Sequence, residues 1–436
     1  MEEVDYGFNT IKVKGGYNPK DHNYSVQVPI YQTASFEAGS PERIDSIKSR
    51  KEVGFLYARG GNPTTDVLEK RIAQLHGVKG AIAVSSGAAA ISYTILTLLE
   101  GGGRIITTNQ LYGGTVITFE NLFTNFGIKT DYVRVSADIE EYAEKIREDT
   151  KAIFVESISN PTAIPVDIEA LAKLAHDNNI PLIVDNTIAT PYLLNPFDFG
   201  ADIVVYSATK GISGHGSAVG GLILQGSDFE WENNHKFKQF EKKLYQLRDE
   251  EGNEQSFLEA FPAVPFLAKL KMDYLIHLGS TISPLDSYLI LLGLETITER
   301  ITKQVENTEK LVNFLKVRKE VEWVSYPTVL DGKFKYITEK YYHKGAGGVF
   351  SFGISGGKEK VYEFINSLNL ISYQVNLGDT RTLISNSAGT THGALKPEFL
   401  EEAEIPQNTL RVSVGLEEIN DLIKDIEQSL TSTYNK

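Results

Sequence analysis

The sequence predicts an α/β protein in which a large domain on a mostly parallel sheet precedes a smaller C-terminal α+β domain. Three observations carry this expectation. From about residue 60, short apolar runs alternate with helical stretches, the rhythm of strand–helix–strand units. Most of those runs are continuously apolar, as expected for strands covered on both faces. Beyond about residue 285 the rhythm changes, and 436 residues are too many for one small core.

Taken in order, residues 1–60 are irregular and read as an arm that packs on something else. The large domain is expected over 61–284. Its strand candidates are "GAIAVSS" (80–86), "RIITTNQ" (104–110), "KTDYVRV" (129–135), "KAIFVES" (151–157), "PLIVDN" (181–186), "DIVVYS" (202–207) and "GGLILQ" (220–225). Helices are expected between several of them, at 87–100, 113–125, 138–148 and 167–178. In the last, Ile168, Leu171 and Leu174 recur at helical spacing behind Asp167, a suitable N-cap. Residues 227–283 break the rhythm with charged and aromatic sequence and read as an insertion with helices of its own. One long bridging helix is expected from near Pro284 to about 318, within a C-terminal unit of 285–436. Its strands are "VEWVSYP", "GGVFSFGI", "LISYQVN" and "TLRVSVGL". A final helix carries Ile419, Leu422, Ile423, Ile426 and Leu430 as one apolar stripe, with Glu417 and Glu418 at its positive end.

Composition narrows the function classes. The formal charge of −14 argues against a general nucleic-acid or anionic-membrane binder, yet leaves room for an anionic small ligand held by a few local cations. With no cysteine, disulfides, iron–sulfur clusters and thiolate nucleophiles are excluded. The eight histidines are scattered without an HExxH, so no metal site is indicated. The acidic N-terminus has no apolar signal region and no run approaches a membrane span, so a cytoplasmic protein is expected.

The chemistry gathers where ligands sit in open α/β sheets, at the carboxyl ends of strands. Lys210 follows the strand "DIVVYS" and enters a loop of small residues. Desolvation there would lower its pKa and suit an amine that bonds covalently to a carbonyl, although a lysine at a strand end can also reach out to solvent. Ser207 and Thr209 flank it as hydroxyl donors, while Gly211, Gly214 and Gly216 allow close backbone approach. Asp185 ends the strand "PLIVDN" and could pair with a cationic ring nitrogen or simply cap a turn. "SSGAAA" leads a strand into a helix through Ser86, Gly87 and Ala88, placing free N–H groups where an anion would bind. Tyr112 in "LYGGT" could stack on a planar ring or pack, and Arg59 in "YARGGNPT" could hold a phosphate or be solvated. Together these residues supply what pyridoxal 5'-phosphate requires: an amine, a carboxylate for the ring nitrogen, a stacking aromatic and a phosphate cup with an arginine. The loop after Lys210 does not fit a nucleotide-binding P-loop, because its glycines follow the lysine.

The motifs "VPIYQTASF", "YARGGNPT", "LYGGT", "ESISNPT", "VDNT", "YSATKGISGHG", "ISPLDSYLILLGLET", "TTHG" and "LRVSVGLE" span nearly the whole chain. In this order and spacing they resemble the Cys/Met-metabolism family of PLP-dependent enzymes. The resemblance implies the aminotransferase-like fold type I, and a homotetramer whose active sites are shared across a dimer interface contacted by the arm. It implies that Lys210 is the cofactor lysine, Asp185 the partner of the ring nitrogen and Tyr112 the stacking ring, with Thr187 close to the ring. Gly87, Ala88, Ser207 and Thr209 would form the phosphate cup, completed by Tyr57 and Arg59 of the neighbouring subunit. Asn160, Asn376 and Arg411 would face the amino-acid substrate.

Within the family, three features resemble the members that replace the acetyl group of O-acetylhomoserine with sulfide or a thiol. They are the chain length, "LQGSDFEW" before a charged insertion, and Asn376 where cystathionine-handling members usually carry serine. The alternative on the same scaffold is γ-elimination from methionine, or cystathionine synthesis or cleavage. Methionine-cleaving members typically have a cysteine after "LYG", where this chain has Gly114. Further departures are Gly211 where an aromatic is common, Tyr206 where histidine is frequent, Ala58 for a hydroxyl residue and Leu292 before "GLET".

Overall fold

The seven apolar runs of the large domain form one sheet in a computed structural model that describes residues 6–226 and 229–434. Ser227 and Asp228, inside "LQGSDFEW", lie outside the described residues. The strands are β1 (Gly80–Val84), β2 (Gly103–Thr108), β3 (Ile128–Val133), β4 (Thr150–Glu156), β5 (Leu182–Asp185), β6 (Ile203–Ser207) and β7 (Gly221–Gln225). Their order is β1-β7-β6-β5-β4-β2-β3, with β7 antiparallel to both neighbours and the other pairs parallel.

Continuous apolarity in these strands has a direct cause: each face fills a different core. Val84, Ile105, Phe154, Ile183 and Val205 point into one buried cluster, and Ala83, Ile106, Val155, Val184 and Val204 into the other. On the second side lie α1 (Pro63–His76) and α3 (Ile168–Asp177), and Asp167 caps α3 by accepting from the Ala170 N–H, as its sequence implied. On the first side lies α2 (Gly87–Leu98), capped by Ser86, whose Oγ accepts the Ala89 N–H at 3.1 Å. The insertion packs on that side too. Phe229, Trp231, Phe237, Phe240, Phe257 and Phe266 are buried there as an aromatic cluster, with Phe229 and Trp231 edge to face at 4.6 Å. Besides short helices at Phe257–Ala260 and Pro265–Lys269, the insertion contains a hairpin, Leu244–Arg248 with Glu254–Gln255, that its sequence did not announce.

The C-terminal region builds a second sheet from β8 (Val321–Ser325), β9 (Val349–Ile354), β10 (Ser372–Tyr373), β11 (Leu383–Asn386) and β12 (Thr409–Ser413), ordered β8-β9-β12-β11-β10. Its apolar face continues the core on the α1 side, so one cluster runs from Val184 to Phe350, Val412 and Leu430. The single bridging helix expected from 284 to 318 is two helices, α4 (Pro284–Glu295) and α5 (Ile297–Lys316). Thr296 leaves helical geometry between them, and the Gly293 carbonyl accepts from the Arg300 guanidinium, 2.6 Å away. "LISYQVN" contributes only the two residues of β10, and β11 was not foreseen. The last helix, α6 (Ile419–Tyr434), buries Leu422, Ile426 and Leu430 as its stripe required. Glu417, however, turns away from it and accepts the Thr382 N–H and hydroxyl at 2.6 and 2.7 Å.

Candidate active site

Parallel strands deliver their carboxyl ends to one rim, and here β4, β5 and β6 end at a cavity of about 380 Å³. The N-terminus of α2 forms one wall. Residues 375–377, Thr391 and Arg411 close it from the C-terminal region.

Lys210 stands three residues beyond β6 with its Nζ donating to Asn376 Oδ1 at 2.6 Å. Burial, and then the positive charge of Arg411, lower its pKa to about 8. Arg411 is 3% exposed, and its Nη1 donates to Asn160 Oδ1 while Nη2 donates to the Asn376 carbonyl at 3.2 Å. Burial pulls it down to about 10, so it stays charged at neutral pH. Its Nε, also buried, has no partner. Asn376 therefore touches both cations, one through its side chain and one through its backbone.

Opposite these cations stand two carboxylates. Asp185 and Glu156 are register partners at the tips of β5 and β4. Burial pushes the pKa of both upward, and for Glu156 the nearby Asp185 adds to the effect. Asp185 Oδ1 accepts the Thr187 N–H at 3.0 Å, and Thr187 Oγ1 accepts the Ser207 N–H at 2.8 Å, tying β5 to β6 beside the lysine. Glu156 accepts the N–H of Tyr112 at 2.6 Å and that of Asn160 at 2.7 Å.

The wall formed by α2 is glycine-dependent. A Cβ on Gly87 would lie 2.6 Å from Ser207 Cβ, so only glycine lets the first turn of this helix approach the end of β6. Ser207 and the N–H groups opening α2 then face the same space, a natural anion seat. The Thr209 hydroxyl is partly committed, accepting the Gly220 N–H at 3.0 Å.

Of the residues singled out from sequence, Ser86, Gly87, Ala88, Tyr112, Asn160, Asp185, Thr187, Ser207, Thr209, Lys210, Asn376 and Arg411 all line this one cavity. Tyr57 and Arg59 do not. They lie exposed on the arm, with the Arg59 guanidinium 5.3 Å from the Tyr57 ring centroid. Glu156 was missed, although it ends "KAIFVE" as Asp185 ends "PLIVD". Two of the departures have local explanations. Tyr206 is buried and bonds both Asn186 Nδ2 at 2.8 Å and His76 Nε2 at 2.9 Å, so an imidazole from α1 serves this corner. Gly211 lies so close to the loop after β10 that a Cβ on Gly378 would come within 2.5 Å of its nitrogen.

These residues fit pyridoxal phosphate on their own chemistry. Asp185 is a buried carboxylate held at high pKa, suited to a cationic ring nitrogen, and Gly87 opens an anion seat across the cavity from it. A desolvated amine stands in the same space. Fold and site together define a PLP-dependent enzyme of the aminotransferase-like fold type I. Residues 9–431 match the family model described as Cys/Met metabolism PLP-dependent enzyme, and the chain belongs to that family. It is 38% identical to the sulfhydrylase FUB7 of Fusarium oxysporum, with 99% of each chain covered. It is likewise 38% identical to O-acetyl-L-homoserine sulfhydrylase 1 of Thermus thermophilus, over 97% of this chain and 99% of that one. A Campylobacter jejuni crystal structure assigned as an O-acetylhomoserine (thiol)-lyase, containing N'-pyridoxyl-lysine-5'-monophosphate, superposes with a TM-score of 0.91. The identity there is 34%, covering 98% of this chain and 100% of that one.

Proposed function

We propose that this protein is an O-acetylhomoserine sulfhydrylase, which converts O-acetylhomoserine and sulfide into homocysteine and acetate. The observation that carries the reading is the convergence of Lys210, Asp185 and Arg411 on one cavity, in a chain whose full-length relatives include sulfhydrylases. When bound, pyridoxal phosphate supplies an electron sink for the pair released at the substrate α-carbon.

The chain's residues divide the remaining work. Asp185 would keep the ring nitrogen protonated, and Tyr112 would supply an aromatic face to the ring. Ser86, Gly87, Ala88, Ser207 and Thr209 would hold the phosphate, while Thr187 fixes Asp185 through its backbone N–H. Arg411, oriented by Asn160 and Asn376, binds the substrate α-carboxylate. Lys210 takes the proton from the α-carbon and returns one after replacement, a role suited to an amine with a pKa near 8. Acetate departs from the γ-carbon with its bonding electrons, and the sulfur of hydrogen sulfide forms the new bond there, keeping one proton as the thiol and releasing the other.

Among the described residues lining the cavity, only Lys210 and Arg411 are cations, and neither hydrogen-bonds at the α2 N-terminus: Lys210 donates to Asn376, and Arg411 to Asn160 and Asn376. A phosphate needs a counter-charge. Exposed Arg59, with Tyr57, would supply it to a neighbouring subunit, which supports sites shared across a dimer interface; in this reading the protein is a cytoplasmic homotetramer. The arm (1–60), the cofactor-binding unit (61–284) and the C-terminal unit (285–436) are the domains of this reading.

The test is product analysis on PLP-loaded protein given O-acetylhomoserine with and without sulfide. Sulfide-dependent homocysteine is expected. Equal ketobutyrate and ammonia in both reactions would instead identify an eliminating lyase. Arg411→Ala should raise KM for the amino acid about 100-fold, because a buried charged pair is lost. An unchanged KM in steady-state kinetics would remove Arg411 from carboxylate binding.

A further inference from the structure

We propose that Glu156 and His392 are positioning residues that clamp the peptide group joining Leu111 to Tyr112, and that Glu156 couples this clamp to the Asn160–Arg411 pair. The inference rests on the roles of Tyr112 and Arg411 given above, and adds how they are held in common.

Tyr112 is 47% exposed, so its side chain is not gripped by a packed core. Its backbone is. The Tyr112 N–H donates to Glu156 Oε1 at 2.6 Å, and the Leu111 carbonyl accepts from His392 Nε2 at 2.8 Å. That carbonyl and that N–H are the two ends of one peptide unit, which therefore has its plane fixed from both sides. His392 is fully buried, and burial lowers its pKa to about 4, so the ring is neutral at working pH. With Nε2 donating to a carbonyl, its Nδ1 is the acceptor facing the Thr391 hydroxyl at 2.9 Å. The segment carrying His392 rests directly on the turn, since a Cβ on Gly113 would be 1.9 Å from the Thr391 carbonyl oxygen.

Glu156 does not stop at Tyr112. Its second oxygen accepts the Asn160 N–H at 2.7 Å, and the Asn160 side chain in turn accepts from Arg411 Nη1. Accepting both N–H groups favours the ionised form of Glu156 against the burial that raises its pKa, whereas a glutamine would turn its NH₂ toward one of them. One side chain at the end of β4 thus sets the stacking tyrosine and the anchor for the substrate carboxylate together. The other half of the clamp comes from the C-terminal region, so the tyrosine is registered to both sheets.

The test compares Glu156→Gln, His392→Leu and His392→Gln by three measurements: equilibrium titration of cofactor-depleted chain with pyridoxal phosphate, KM for O-acetylhomoserine, and hydrogen exchange of the Tyr112 amide. Glu156→Gln should raise the cofactor dissociation constant and the KM together, each about tenfold, because a buried N–H loses its acceptor. His392→Leu should raise the cofactor constant by a similar factor, and His392→Gln, whose amide can donate to Leu111, should restore it. Tyr112 exchange should accelerate in Glu156→Gln and His392→Leu and return toward the parent rate in His392→Gln. Unchanged constants alongside a lowered Tm in Glu156→Gln would overturn the proposal, as would a change in only one of the two constants. Failure of His392→Gln to rescue would remove His392 from the clamp. Titration and exchange need no turnover, so they judge the clamp even if the replacement reaction proves to be an elimination.

Discussion

Lys210→Ala is expected to abolish turnover, lowering it by at least about 10⁴-fold, since covalent attachment and proton transfer at the α-carbon are lost together. Among the described residues lining the cavity there is no other amine. The other cation of the cavity, Arg411, is committed to Asn160 and Asn376 and remains charged. Borohydride treatment of loaded parent protein, followed by peptide mass analysis, should leave the cofactor fixed at Lys210, and the variant should carry no such label. A second signature follows from the lowered pKa. Below about 8 the amine is held protonated and above it is free, so the rate of cofactor attachment to the depleted parent chain should rise with pH and level off above that value. Full activity in the alanine variant would end the assignment.

Asp185→Ala should show the converse separation, retaining cofactor yet losing most activity. A carboxylate beside a ring nitrogen shifts that nitrogen's pKa by about 1–3 units, so its removal should reduce kcat by roughly 10- to 10³-fold. Attachment by Lys210 and the anion seat at the start of α2 are untouched, and alkaline release should still recover bound cofactor. The cofactor-free chain offers an independent check. Burial holds the Asp185 carboxyl above its ordinary range, so at neutral pH its charge disfavours the folded state. The alanine variant of the depleted protein should therefore be no less stable than the parent in thermal unfolding at pH 7. Normal turnover would show that the electron sink does not depend on this residue.

The large sheet was legible because its central strands are apolar on both faces, each face filling a different core, whereas the edge strand β3 carries Lys129, Thr130 and Asp131. The site was legible for a related reason: a polar residue ending such a strand has little else to do than face the rim, as Asp185 and Ser207 do, with Lys210 three residues further on. Glu156 obeys the same rule and was overlooked beside the "SISNPT" that follows it. Sequence failed where local pattern and tertiary demand part company. Strand β11 is four residues of "LISN" within a polar stretch and exists because β12 and β10 flank it. The break at Thr296 falls where Arg300 reaches back to Gly293, a contact that no periodicity in α4 or α5 records. His392 was quoted only as part of "TTHG", and its partner Leu111 lies 281 residues away.

The aromatic insertion bears on how the chain could be handled in the laboratory. Its Trp231 and surrounding phenylalanines are interior walls, so trimming the segment would strip one face of the large sheet. Its hairpin tip is different: Glu250–Glu254 are exposed, and Gly252 sits at a φ of +87° in an open turn where even a Cβ would meet nothing. That tip is where a fluorophore, an affinity tag or a tether to a surface could be grafted while the interior aromatics stay in place.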